Sequence, residues 1–172
     1  MALVLACAAC ASPRNALTLR VAVAPDANDR TPIPVDVVFV WDKAVAGKVA
    51  PLTATAWFGT KAQFLQDDPK RQMLTVCEWE WVPGQVVPEI NLAVPVAARR
   101  WIQGVFLFAN YRTPGSHRAQ VQFGTASALD LRRQDAAVTP LGKSTSPAFV
   151  WLDEACRTSP PGAAPQLARS SS

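Results

Sequence analysis

Leu17, Leu19, Val21 and Val23 alternate with Thr18, Arg20 and Ala22, and this period of two predicts a half-buried strand over residues 17–23. Residues 34–41 are apolar at nearly every position instead, as expected of a strand covered on both faces. Cys77, Trp79 and Trp81 share one face of a strand over 75–82, and Glu78 and Glu80 share the other. Cys77 is therefore expected to point into the core and the two carboxylates into solvent. Residues 87–94 place Ile90, Leu92 and Val94 inward and carry Pro88, which predicts an edge strand. Residues 101–109 form the most continuously apolar run and are the best candidate for a central strand. After a turn region over 110–116, residues 117–123 alternate again, so the two runs predict a hairpin with a long loop.

Period two is lost between Asp42 and Pro69. Within that stretch Trp57, Lys61, Phe64 and Leu65 fall at helical spacings, so residues 53–66 read as a helix between Pro51 and Pro69, part of a helical insertion over about 44–68. Residues 25–33 (Pro25, Asp26, Ala27, Asn28, Asp29, Arg30, Thr31, Pro32, Ile33) are dense in turn formers and predict a loop between the first two strands. Pro83 and Gly84 mark another turn. Beyond Gly124 the pattern weakens, with one last strand signal at 149–152, and residues 157–172 read as a disordered tail. Six or seven short strands with regular turns predict an all-β domain over 17–156, a two-sheet β-sandwich with a small helical insertion.

Composition narrows this picture. A chain of 172 residues suits one domain, and 15 prolines against 8 glycines fit many short elements with hard stops. The net charge of +4 is spread out, with no basic run longer than two residues, so nucleic acid is not an expected partner. Residues 1–12 carry no charge and are apolar or small, like the end of an export signal. Small residues run into a cysteine twice there, at Cys7 and at Cys10, and both sites resemble the lipobox of bacterial lipoproteins. Cys10 has the better small-residue run and is the preferred lipidation site, with Cys7 the alternative; residues 1–9 are then a signal remnant and 10–16 a tether. Nothing later is apolar for the 18 or so residues of a spanning helix, so membrane attachment is expected through acyl chains. The remaining thiols, Cys77 and Cys156, are natural partners for a disulfide in an oxidising compartment, two buried free thiols being the other reading.

Catalytic chemistry is not visible. The one histidine, His117, falls on the solvent-facing side of its alternating run, and no nucleophile elbow, phosphate loop or metal-ligand spacing occurs, so neither an enzyme, a metal, a cofactor nor a small-molecule substrate is expected. Six tryptophans raise a stand-alone periplasmic glycan or ligand binder as the alternative, but Trp41, Trp79, Trp81 and Trp101 all fall on apolar strand faces, where core packing is the ordinary use.

Taken in order, these features resemble a known family. The lipobox-like cysteine, the first strand leading into residues 25–30 and then 34–39, the turn at 82–85 and the run 102–112 are together similar to the TssJ family, the outer-membrane lipoprotein of the type VI secretion system. The resemblance covers roughly 17–123. It implies a transthyretin-like sandwich anchored by lipid to the periplasmic face of the outer membrane. It also implies a partner, the periplasmic C-terminal domain of the inner-membrane component TssM, contacted through the loop 25–33. The chain departs from the family in reading Trp41 where a tyrosine is expected and in its longer segment after Gly124.

Overall fold

The computed structural model describes residues 16–70, 72–143, 150–151 and 156. Cys7, Cys10, most of the tether and the tail 157–172 lie outside these residues. Among the described residues nine strands form two sheets that face each other. One has the order β8-β7-β1-β4-β9, from β1 (Ala16–Val23), β4 (Ile90–Ala93), β7 (Thr125–Leu131), β8 (Ala136–Lys143) and β9 (Val150–Trp151). The other has the order β3-β2-β5-β6, from β2 (Ile33–Val40), β3 (Leu74–Trp81), β5 (Gly104–Ala109) and β6 (Arg118–Val121). This is the two-sheet sandwich with a helical insertion that the strand pattern predicts.

The continuous apolar run of β2 has a direct cause. Val35, Val37 and Phe39 enter the core between the sheets, together with Leu17, Leu19, Leu92, Leu107 and Leu129. Val38 and Val40 point the other way and meet a second core with Leu74, Val76, Phe106 and Phe108 beneath the helical insertion. That insertion is two helices, α1 (Lys43–Val49) and α2 (Ala54–Asp67). The Asp42 side chain accepts the Val45 N–H at 2.9 Å and Thr53 Oγ1 accepts the Ala56 N–H at 3.2 Å, so each helix begins on a side-chain cap. Asp68 then accepts N–H groups from Gln72, Met73 and Leu74 at 2.7–3.0 Å and turns the chain into β3. Trp57 is fully buried, stacks on Phe108 with centroids 5.2 Å apart, and donates Nε1–H to Asp36 Oδ2 at 2.8 Å. Removing so large a buried ring costs about 3–5 kcal/mol.

Several expectations are corrected. The face carrying Glu78 is not simply solvated: α2 covers part of it, and Lys61 Nζ reaches both Glu78 Oε1 at 2.6 Å and buried Asp36 Oδ2 at 3.0 Å. Burial raises the Asp36 pKa, opposed by the Lys61 charge and the Trp57 hydrogen bond. Burial pulls the Lys61 pKa down, but the two carboxylates outweigh it and the net shift is upward. The apolar run 101–109 is not all strand, because a short helix, α3 (Val96–Arg99), continues in hydrogen bonds from Trp101 N–H to Ala98 and from Ile102 N–H to Arg99. Trp101 is thus 56% exposed and off the apolar strand face, while β5 proper lies inside its sheet between β2 and β6. β4 is not an edge strand, since β9 pairs with it in parallel. The weak segment after Gly124 contains the β7–β8 hairpin, with β7 parallel to β1.

Candidate partner-binding loop

The sequence from Ala24 to Pro32 joins the two sheets at one end of the sandwich. Its backbone is unusual: Asn28, Asp29 and Arg30 follow one another with φ of 48°, 50° and 64°. Asn and Asp tolerate this left-handed region because their short polar side chains bond locally, whereas for arginine it is a strained conformation. The arrangement is held from within and from outside. Asn28 Nδ2 donates to the Pro32 carbonyl at 3.0 Å, and Thr31 Oγ1 donates to the Asn28 carbonyl at 2.6 Å. Asn28 N–H donates to the Arg132 carbonyl at 3.2 Å, and Asn28 Oδ1 accepts the N–H of Arg112 at 2.8 Å.

Neighbouring loops are tied in turn. Tyr111 Oη donates to the Arg132 carbonyl at 3.0 Å, and Thr113 Oγ1 to the Gln134 carbonyl at 2.9 Å. Burial raises the Tyr111 pKa, so this phenol stays protonated and remains a donor. On the other side, Gly84 N–H donates to the Ala24 carbonyl at 3.2 Å from a left-handed turn with φ of 76°. Loops 24–32, 82–86, 110–117 and 132–135 therefore make one braced surface.

The sequence-predicted loop residues divide into two groups. Pro25, Asp26, Asp29, Arg30 and Pro32 are exposed and Thr31 is half-buried. Ala27, Asn28 and Ile33 are buried, Ile33 as the first residue of β2. Asn28 is thus not a tip free to meet a partner; it is the internal brace of the loop. Asp29 Oδ1 accepts Arg133 Nε–H at 3.0 Å, and this hydrogen bond and charge raise the Arg133 pKa. Arg30 makes no hydrogen bond or ion pair with any described residue. Sequence reasoning missed Arg112, Arg133, Val82 and Val86, which share this end; Val86 is 91% exposed and Val82 is also open. Their only linear signal is their position beside turn residues.

His117 was expected on the solvent side and is instead buried. Its φ of 41° breaks the strand pleat, its ring stacks on Tyr111 with centroids 4.8 Å apart, and Nε2 lies 2.8 Å from the Thr113 carbonyl, to which it donates. That role is structural. In β3, at the other edge of the same sheet from β6, Cys77 forms a disulfide with Cys156, with Cα atoms 4.5 Å apart, which ties Cys156 to that strand. Among the described residues no group of three His, Cys, Asp or Glu side chains could hold a metal. Trp57, Trp79 and Trp81 are core residues and Trp41 is half-buried, which leaves Trp101 as the one exposed indole among the side chains described.

Fold and site together define a β-sandwich that displays a braced loop cluster at one end. No protein-family model matches the chain, and no curated protein matches it in sequence. Solved structures do match. The Serratia marcescens Lip protein, a membrane-bound component of the type VI secretion system, aligns with a TM-score of 0.50 and 13% identity over 74% of this chain and 99% of its own. A type VI membrane complex chain aligns at 0.53 and 14% identity over 73% and 98%. The type VI lipoprotein TssJ1 of Pseudomonas aeruginosa aligns at 0.49 and 16% identity over 79% and 99%. The chain has the TssJ-type sandwich fold.

Proposed function

We propose that this protein is a non-enzymatic scaffold of a type VI secretion membrane complex, held by acyl chains at the periplasmic face of the outer membrane and binding the periplasmic C-terminal domain of TssM. The observation that carries this reading is a TssJ-type sandwich whose β1–β2 loop is locked in a strained, braced conformation with Asp26, Asp29 and Arg30 at its exposed tip. Strain that the surrounding structure over-determines is characteristic of sites built for recognition. The lipobox-like runs ending at Cys7 and Cys10 supply the anchor, and no described helix is long and apolar enough to cross a membrane. Lipid attachment at Cys10, or alternatively Cys7, contributes about 0.8 kcal/mol per buried CH₂.

The anchor is tested by replacing Cys10 and, separately, Cys7 with serine in the gene with its upstream region, followed by membrane fractionation. One of the two changes should release the protein into the soluble periplasmic fraction. Retention of both variants in the membrane would end the lipoprotein reading. The glycan-binding alternative is not favoured, because the tryptophans named for it are mostly packed into the core.

A further inference from the structure

We propose that the end of the sandwich opposite the loop cluster carries a second membrane contact, a patch of Val96, Arg99, Arg100 and Trp101 that lies on the anionic phospholipid surface beside the anchor. β1 starts at Ala16, which pairs with Ala93 of β4, and the chain runs from there directly into α3 and Trp101. The Gln103 N–H donates to the Val40 carbonyl at 2.8 Å, which fastens the same segment to the end of β2. The patch therefore sits where the N-terminal chain enters the domain. Five residues lie between Cys10 and Ala16, and a fully extended chain from one to the other spans at most about 20 Å.

The chemistry fits a lipid surface. Val96 is 70% exposed and Trp101 56%, two of the few large apolar side chains left open among the described residues. An indole with one apolar and one polar edge is suited to the headgroup level of a bilayer. Arg99 and Arg100 are exposed and have no carboxylate partner among the described residues; Arg100 holds its guanidinium 5.0 Å from the centre of the Trp101 ring. Lys43 and Lys143 lie at the same end, following β2 and closing β8. Asp42 and Asp68, carboxylates at the same end, are committed to capping α1 and to the N–H groups of Gln72, Met73 and Leu74. The loop-cluster end differs, since Val82 and Val86 share it with Asp26, Asp29 and Glu80 as well as arginines, a mixed-charge surface suited to protein. A basic apolar patch beside the tether adds electrostatic attraction to anionic headgroups and orients the anchored domain on the surface.

This inference uses the anchor reading for its orientation, and its test does not depend on cellular acylation. The full chain carrying Cys7→Ser is coupled through the Cys10 thiol to vesicles of phosphatidylethanolamine and phosphatidylglycerol that contain a maleimide-headgroup lipid. Quenching of tryptophan emission by a shallow spin-labelled lipid is then measured. We expect a quenched component that Trp101→Phe removes. The pair Arg99→Gln and Arg100→Gln should lower the docked-to-free ratio about tenfold or more, and exchanging phosphatidylglycerol for phosphatidylcholine should act in the same direction. Near-ultraviolet circular dichroism checks that each variant is folded. Quenching no greater than in the Trp101→Phe chain, or unchanged by loss of both arginines, would overturn the proposal and leave the patch to a protein partner. Failure of the anchor reading would show separately, in fractionation of the cysteine variants.

Discussion

Asn28 Oδ1 accepts the backbone N–H of Arg112 across 84 residues of sequence at 2.8 Å, so the loop before β2 and the loop after β5 are one structural unit. The same Asn28 sits buried at φ 48° while its neighbours Asp29 and Arg30 extend the left-handed run into solvent. Bracing and display are thus divided among adjacent residues.

Asn28→Ala should therefore act on stability. It leaves the Arg112 N–H and the Pro32 carbonyl without partners and puts alanine in a left-handed backbone, at a combined cost of about 2–3 kcal/mol. Urea unfolding of the variant checks this, and a loss below about 0.5 kcal/mol would show that the brace is redundant.

Arg30→Gly should do the opposite. With φ at 64°, glycine relieves a strain of about 1 kcal/mol, and the exposed arginine leaves no buried group unpaired. Thermal melting should show equal or higher stability, partly offset by the greater freedom of glycine in the unfolded chain.

Lys61 joins α2 to the sheet through Asp36 and Glu78. Lys61→Met should cost about 2 kcal/mol near neutral pH, less than a fully buried pair because the lysine is partly open to water. The pH dependence has a definite sign. The folded Asp36 pKa is already raised above 3.8 by burial, and loss of the ammonium raises it further. Protonation therefore favours the folded variant, and its deficit relative to the parent should shrink as pH falls through that raised value toward 3.8. Denaturant midpoints of both proteins at several pH values read this directly; a deficit that grew on acidification would contradict the assignment.

The Cys77–Cys156 bridge closes a loop with a sequence separation of 79. Chain-entropy arguments put the stabilisation from a loop of that length at about 4 kcal/mol, with measured bridges ranging lower. The denatured, non-reduced protein should show no labelling at Cys77 or Cys156, and replacing both with serine should lower the unfolding midpoint. Labelling of both thiols would remove the bridge.

The strands that define the sandwich were legible because their burial imposes a period: β1 by alternation, β2 by the apolar run that two cores require, β3 by the Cys77, Trp79, Trp81 face. α2 showed in its helical spacing. The β7–β8 hairpin was hidden for physical reasons. Small residues such as Ala126 and Ser127 fill buried positions of β7, and a register shift falls between them. β8 is an outer strand with mostly exposed positions, Pro140 and Gly142, so little apolar pattern is needed there. Trp101 and His117 depart from the strand pattern of their runs because the backbone leaves the strand there, through a helical turn in one case and a left-handed residue in the other. The loop was legible as a turn-rich segment. Burial of Asn28 was not, because it depends on carbonyl and amide groups of loops far away in sequence.

Binding of this protein to the periplasmic C-terminal domain of TssM from the same bacterium tests the central claim most directly. Calorimetric titration with the folded parent chain should give saturable binding, and the triple change Asp26→Ala, Asp29→Ala, Arg30→Ala should weaken it by about 2 kcal/mol or more while leaving the circular dichroism spectrum unchanged. No binding by the parent, or an affinity unaltered by the triple change, would contradict the account of this loop as the docking site.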